Sequence, residues 1–338
     1  MRKLLLRNHQ SPGDIVMLTA AVRDLHCHYP GEFLTAVQTS APQLWENNPY
    51  LTPFEYNEGF EIIDCQYPLI HRSNQEPGHF LQAFSGFLND RLGLNIKPTA
   101  FKGDIHLSAL EKTSDSVVHQ ITGENLPFWI VNAGGKYDYT IKWWDHRRYQ
   151  AVVDHFADKI LFVQVGESIH HHPALRGVID LRGKTDLRQL VQLVYHAEGT
   201  LGPVSLLMHL AAAVDVKNGR PRNRPAVVVA GGREPPHWEA YPPHQFIHTV
   251  GLLRCCEHGG CWRSRTRPLN DGDVKDQPQH LCVNLSAGLP RCMDLITPAD
   301  VIRRIELYFE GGAAFYLRPS ERKIAQAALE PLPAGQKE

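Results

Sequence analysis

The sequence predicts an α/β protein of two Rossmann-like domains facing a cleft, with a cysteine-rich, metal-binding insertion toward its C-terminal end. Three observations carry that expectation. Strand, loop and helix signals open the chain and recur after residue 125; each half has a glycine loop behind an apolar run; and five of the seven cysteines fall between Cys255 and Cys292. The 338 residues leave room for two ordinary domains.

The elements follow in order. Residues 3–7 read as a short apolar strand and 8–14 as its loop. Ile15, Leu18, Val22 and Leu25 then recur at helical spacing until Tyr29-Pro30-Gly31. Strands are expected over 33–37 and 60–64, a helix over 80–92, and a polar stretch from 97 to about 125. A second series has strands over 128–132, 160–165, 178–181 and 226–230, with helices over 185–196 and 203–214. The last helix starts at Thr297, with Pro298 at its first position and Asp300 at its third. Binding loops in such α/β units lie at the carboxyl ends of the strands.

Composition narrows the function classes. The hydrophobic fraction of 43% and charged fraction of 21% belong to a soluble globular protein. Lys+Arg 35 against Asp+Glu 36 lacks the basic excess of a nucleic-acid binder. The three leucines after Met1-Arg2-Lys3 are too few for a signal peptide, and no run approaches the roughly 20 apolar residues of a membrane span. A cytoplasmic protein that does not span a membrane is expected.

Four motifs could carry chemistry. In Ser11-Pro12-Gly13-Asp14, Gly13 permits a tight turn, and Asp14 either caps the helix or serves as a general base at the cleft. In Asn132-Ala133-Gly134-Gly135-Lys136 and the following residues to Trp144, glycines would let amides approach a phosphate. Lys136 and Lys142 would offset the charge of a departing diphosphate. In Gly183-Lys184-Thr185, Thr185 suits a helix N-cap, and the glycines of a Walker A loop are missing. In Gly199-Thr200-Leu201-Gly202-Pro203-Val204-Ser205, the glycine-proline entry would start a helix with free amides, an anion site. His209 in that helix is either a core histidine or a group that orients the donor. The cysteines Cys256, Cys261, Cys282 and Cys292 suit tetrahedral zinc or a mononuclear iron, with Cys255 as substitute for Cys256; buried thiols are the plain alternative. A metal would clip the polar residues 263–279, which have little to bury. His170-His171-His172 reads as a surface loop.

The Gly13-Asp14 loop, the Gly183-Lys184-Thr185 helix start, and Gly202-Pro203 followed by Met208-His209-Leu210-Ala211-Ala212-Ala213 together resemble glycosyltransferase family 9, the ADP-heptose-dependent heptosyltransferases with the GT-B fold. Residues 132–144 and the late cysteines look most like the branch that heptosylates bacterial autotransporter proteins. Many members carry Asp-Thr-Gly-Pro where this chain has Thr200-Leu201-Gly202-Pro203.

The resemblance implies inverting transfer of heptose from ADP-heptose to an acceptor hydroxyl, a protein Ser or a lipopolysaccharide-type glycan. Asp14 would be the base. Gly13, Lys136, Lys142, Lys184, Thr185, Thr200, Gly202, Pro203, Ser205 and His209 would bind the donor. It also implies one structural iron or zinc ion, no divalent ion for catalysis, and a homo-oligomer. The expected division is an acceptor-side domain over 1–120, a nucleotide-sugar domain over 121–296 that includes the cysteine-rich residues 255–292, and C-terminal helices over 297–338. The alternatives are a non-catalytic sugar-nucleotide-binding protein and a zinc-containing nucleic-acid module using Arg263, Arg265 and Arg267.

Overall fold

The computed structural model describes residues 1–53, 59–217 and 223–329. Strand β1 (Arg2–Asn8) lies between β2 (Phe33–Thr39) and β3 (Glu61–Asp64), all parallel. Helix α1 (Pro12–His28) starts with Pro in its first turn and buries every residue from Ile15 to Leu25, as suits a helix apolar on most faces. It packs against α2 (Leu81–Leu92). The polar stretch after residue 97 is tied to α1: Arg23 donates to the carbonyls of Ala100 and Lys102, and Asp24 accepts from the Thr99 amide. It also holds two short capped helices, α3 (Ala109–Thr113) and α4 (Val117–Thr122).

The second sheet has six parallel strands: β4 (Phe128–Val131), β5 (Leu161–Gln164), β6 (Ile179–Asp180), β7 (Gly199–Pro203), β8 (Ala226–Gly231) and β9 (His244–His248). Their order is β6-β5-β4-β7-β8-β9. Counted from β4, this is the 3-2-1-4-5-6 order of a doubly wound dinucleotide-binding fold, so its switch point falls between β4 and β7. Alternate residues of β4 feed two cores: Phe128 and Ile130 join one, Trp129 and Val131 the other. The first core is continuous with the N-terminal half, because α1 packs on α7 (Leu206–Ala213).

The remaining helices are α5 (His146–His155), α6 (Leu187–His196), α8 (Pro236–Glu239), α9 (Arg291–Asp294), α10 (Pro298–Glu310) and α11 (Pro319–Leu329). α10 begins with the expected capping box of Thr297 and Asp300 and packs on α5, whereas α11 returns to α4. Residues 330–338, placed among the C-terminal helices by the sequence, lie outside the described residues.

Three expectations are corrected. Gly199-Thr200-Leu201-Gly202-Pro203 is a buried central strand and not a loop; helix α7 starts only at Leu206. Glycine and proline are poor strand formers, but Gly199 gives room to the Trp129 ring, which a Cβ would approach to 2.5 Å, and Pro203 ends the strand. The N-cap of α6 is Asp186, in a capping box with Gln189, not Thr185. The cysteine-rich residues 255–292 have a buried centre of their own. The guanidinium of Arg265 is 0% exposed and pairs with Asp138, Asp271 and Asp276 at 2.5–2.9 Å and with Asp273 at 3.8 Å. This segment ends in the small antiparallel pair β10 (Leu285–Ser286) and β11 (Leu289–Pro290).

Candidate active site

A cavity of about 650 Å³ opens where the carboxyl ends of the two parallel sheets face each other. That size is ordinary for a small-molecule site. The N-terminal sheet contributes the turn after β1, with Ser11, Gly13 and Asp14, and the residue Tyr67 beyond β3. The larger sheet contributes the loop after β4, with Gly134, Lys136, Tyr139 and Lys142, and the turn after β7, with Pro203 and Ser205. These two turns flank its switch point.

Asp14 stands in the first turn of α1, whose N-cap is Ser11. Its carboxylate does not cap the helix: Oδ1 accepts a 2.6 Å hydrogen bond from the Tyr67 hydroxyl. Burial raises the Asp14 pKa above its ordinary value, opposed by that hydrogen bond and by the charges of Lys142 and Lys136. A carboxylate made more basic by burial and aimed by a phenol is arranged to take a proton. Gly13 has a role other than a turn. It lies inside the helix, where a Cβ would sit 3.2 Å from the His209 ring, so it lets α1 approach α7.

The loop after β4 is braced from behind. Gly134 has φ 149°, and a Cβ there would fall 1.9 Å from the His171 carbonyl oxygen, so only glycine fits. The Gly135 amide donates to that same carbonyl at 2.9 Å and His171 returns a 3.1 Å bond, which takes the Gly135 amide away from any phosphate. His171 also stacks on Trp143, with ring centroids 4.1 Å apart. The histidine run therefore props the glycine loop. Lys136 reaches across to Ser11 Oγ at 3.0 Å, and Lys142 pairs with buried Glu234 at 2.7 Å.

Glu234 and Glu239 follow β8, together with Arg233. Although burial pushes the Glu234 carboxyl up, the neighbouring Arg233 and Lys142 charges hold it below its ordinary value. Glu239 behaves in the opposite way. Burial and the Glu234 charge push it up to about 8. His209, buried in α7 and bonded through Nδ1 to the Tyr241 hydroxyl at 2.9 Å, is lowered to about 3 by burial and the nearby His79 and Lys142 charges. The cysteine-rich segment also reaches the cavity. Trp262 and Lys275 line it, and Lys275 and Arg233 both lie over the Tyr139 ring.

Of the residues singled out from sequence, Gly13, Asp14, Lys136, Lys142, Pro203, Ser205 and His209 meet at this cavity. Lys184, Thr185, Thr200 and Gly202 do not. Thr200 and Gly202 are inside β7, and Lys184 is exposed beyond edge strand β6, donating to the Asp180 carbonyl at 2.8 Å. The N-terminus of α7 also opens on the cavity at its N-cap Ser205, whose buried Oγ has no hydrogen-bond partner among the described residues. Sequence reasoning missed Tyr67, Glu234, Glu239, Trp262 and Lys275. Only Glu234 had a local signal, following an apolar strand and two glycines.

The expected cluster of Cys256, Cys261, Cys282 and Cys292 is not drawn together as a metal centre. Among the described residues, no group of three or more His, Cys, Asp or Glu side chains has that arrangement. The Cys256 thiol donates to the Thr249 carbonyl at 3.5 Å and the Cys282 thiol to the Asn284 carbonyl at 3.3 Å. Burial raises the thiols of Cys255, Cys261, Cys282 and Cys292, Cys261 to about 11 and Cys292 to about 12. Cysteine sulfurs are suitable donors for iron or zinc. Of the three arginines in this segment, Arg265 is buried among aspartates and Arg263 donates to the carbonyls of Pro278 and Gln279, whereas Arg267 is exposed.

Residues 102–219 match the model of glycosyltransferase family 9 (heptosyltransferase). No curated protein is similar enough in sequence to match the chain. Solved structures are similar in fold. The family 9 glycosyl transferase from Veillonella parvula DSM 2008 has 12% identity and a TM-score of 0.59, over 92% of this chain and 98% of that one. E. coli ADP-heptose lps heptosyltransferase II has 16% identity and a TM-score of 0.54, over 93% and 100%. TibC from enterotoxigenic E. coli H10407, an iron-containing dodecameric glycosyltransferase, has 16% identity and a TM-score of 0.63, over 92% and 76%. TibC has also been solved with ADP-D-beta-D-heptose. At these identities the likeness is one of fold, the GT-B arrangement of two facing α/β sheets.

Proposed function

We propose that this chain, whose residues 102–219 match the family 9 glycosyltransferase model, carries out inverting transfer of heptose from ADP-heptose to an acceptor hydroxyl. The observation that carries the reading is the cavity between the carboxyl ends of both sheets, which sets the aimed carboxylate of Asp14 opposite Lys136 and Lys142. Asp14 takes the proton of the acceptor hydroxyl as its oxygen attacks the anomeric carbon. The bond from that carbon to the diphosphate oxygen breaks, and ADP leaves with the electron pair. Lys136, Lys142 and the amides that open α7 at Leu206 and Leu207 offset the leaving group's charge, so no divalent ion is needed in this scheme. Direct attack from the opposite side inverts the anomeric centre. The acceptor is a protein Ser or a lipopolysaccharide-type glycan, and product analysis with both decides between them.

The test is incubation with ADP-heptose. Thermal stabilisation by the donor, slow release of ADP without acceptor, and inverted configuration of the released sugar support the reading. A protein that neither binds nor hydrolyses ADP-heptose sinks it.

The same reading includes a structural iron or zinc ion held by Cys256, Cys261, Cys282 and Cys292, with Cys255 as substitute for Cys256, where it would cross-link residues 255–292. Elemental analysis of protein purified without added metal should find about one ion per chain; Cys282→Ser should lose it, and metal-free wild type would refute it. No helix among the described residues is long and apolar enough to cross a membrane. A cytoplasmic homo-oligomer completes the proposal, its assembly to be read by light scattering.

A further inference from the structure

Glu239 is an unusual group to find in the wall of a cavity. It lies in the single turn of α8, only 5% exposed, yet its Oε2 has no hydrogen-bond partner among the described residues. His209 Nε2 stands 3.6 Å from it, too long for a hydrogen bond. A buried carboxyl oxygen without a partner costs stability, so it calls for an explanation in ligand or proton.

The Tyr241 hydroxyl stands 2.9 Å from His209 Nδ1 and 3.5 Å from Met17 Sδ, so it is committed to α7 and α1 and not to Glu239. The other charged and titratable groups around it are Asp14 on α1, Tyr67 beyond β3, His79 before α2, Lys142 in the loop after β4, and Arg233 and Glu234 after β8. Burial and the negative neighbours Glu234 and Asp14 favour the neutral acid, against Lys142 and Arg233. Among the carboxyls of the cavity, Asp14 can lose a proton and Glu239 keeps one.

We infer that Glu239 is a sugar-binding residue of this cavity, its carboxyl group exchanging hydrogen bonds with a hydroxyl of the donor sugar. Nearby polar atoms fit the same guest. Glu234 Oε2, Trp262 Nε1 and Ser205 Oγ are also buried without partners in residues that line the cavity, a mixture of acceptors and donors suited to a polyol. A phosphate would meet repulsion from the Glu234 carboxylate, which favours the sugar here and the diphosphate toward Lys136. The inference rests on the sugar-transfer reading above.

The experiment compares ADP-heptose with ADP as ligands for wild type, Glu239→Gln and Glu239→Ala, using donor hydrolysis and binding. Glu239→Ala should weaken ADP-heptose roughly tenfold to a hundredfold, the value of a hydrogen bond to a buried acid group, with ADP affinity within about twofold. Glu239→Gln, neutral and isosteric, should stay within a few-fold of wild type. It should also remove the loss of ADP-heptose affinity that wild type shows as pH rises through about 8. Should Glu239→Ala fail to fold, the pH profiles of wild type and Glu239→Gln decide. Equal weakening of ADP and ADP-heptose, or an alkaline profile unmoved by Glu239→Gln, overturns the inference while leaving sugar transfer standing. A wild type inert to ADP-heptose overturns both.

Discussion

The N-terminal sheet has three strands and brings one acid to the cavity, Asp14, on the first turn of a helix buried along most of its length. The six-stranded sheet brings several charges of both signs, on loops after β4 and β8 and on an arm that returns from residues 262–275. One rim is a single group held by its own helix; the other is a network in which Glu234 serves Lys142 and Arg233 together. A lone base must be placed accurately, whereas a surface that binds a sugar and a diphosphate needs many contacts. The comparison teaches that the reacting group and the binding groups were set by different parts of the fold, and it can be broken at each rim separately.

The largest effect is expected at the N-terminal rim. Asp14→Asn should lower transfer by roughly 10²- to 10⁴-fold while ADP-heptose affinity stays within a few-fold, measured by initial rates and calorimetry. Near wild-type turnover would reduce Asp14 to a packing role. On the opposite rim, Lys142→Ala should weaken ADP and lower the rate together, by roughly tenfold to a hundredfold, because it removes a cation and leaves Glu234 with Arg233 alone. Unchanged ADP affinity would move the diphosphate to Lys136 and the α7 amides.

A smaller effect is expected from the arm. Arg265→Met leaves Asp138, Asp271, Asp273 and Asp276 facing one another, so residues 263–280 should become sensitive to protease. Turnover should fall several-fold, since Asp138 and Lys275 line the cavity. A protease-resistant, fully active variant would show that the cysteines alone hold the arm. The smallest is Tyr67→Phe, a loss of a few-fold at most. The Tyr67 hydrogen bond lowers the Asp14 pKa, so its removal raises that pKa and shifts the acid limb of the rate profile to higher pH. A limb that stays in place would mean that Asp14 is not the titrating base.

Legibility in the sequence followed the distance between partners. Strand β1, helix α1 and Asp14 were readable because periodicity, proline and the loop lie within one local run, and the Thr297 capping box was readable for the same reason. Strand β7 was not, because Gly199, Gly202 and Pro203 are locally poor strand residues that only pairing with β4 and β8 makes extended. The functional meaning of Gly13 was likewise hidden, since its neighbour His209 comes from another helix.

By itself, then, the sequence determined two α/β halves, a carboxylate behind the first strand, two lysines behind a glycine loop, and a late cluster of cysteines. The tertiary structure alone decided the partners of these groups. Tyr67 meets Asp14 across 53 residues, and Arg265 meets Asp138 across 127. It also decided that Glu239 is buried beside a neutral His209. The reason is physical. Secondary structure is set by contacts a few residues apart, whereas desolvation and charge, which set what a carboxyl or a lysine can do, come from whatever the packed chain brings alongside.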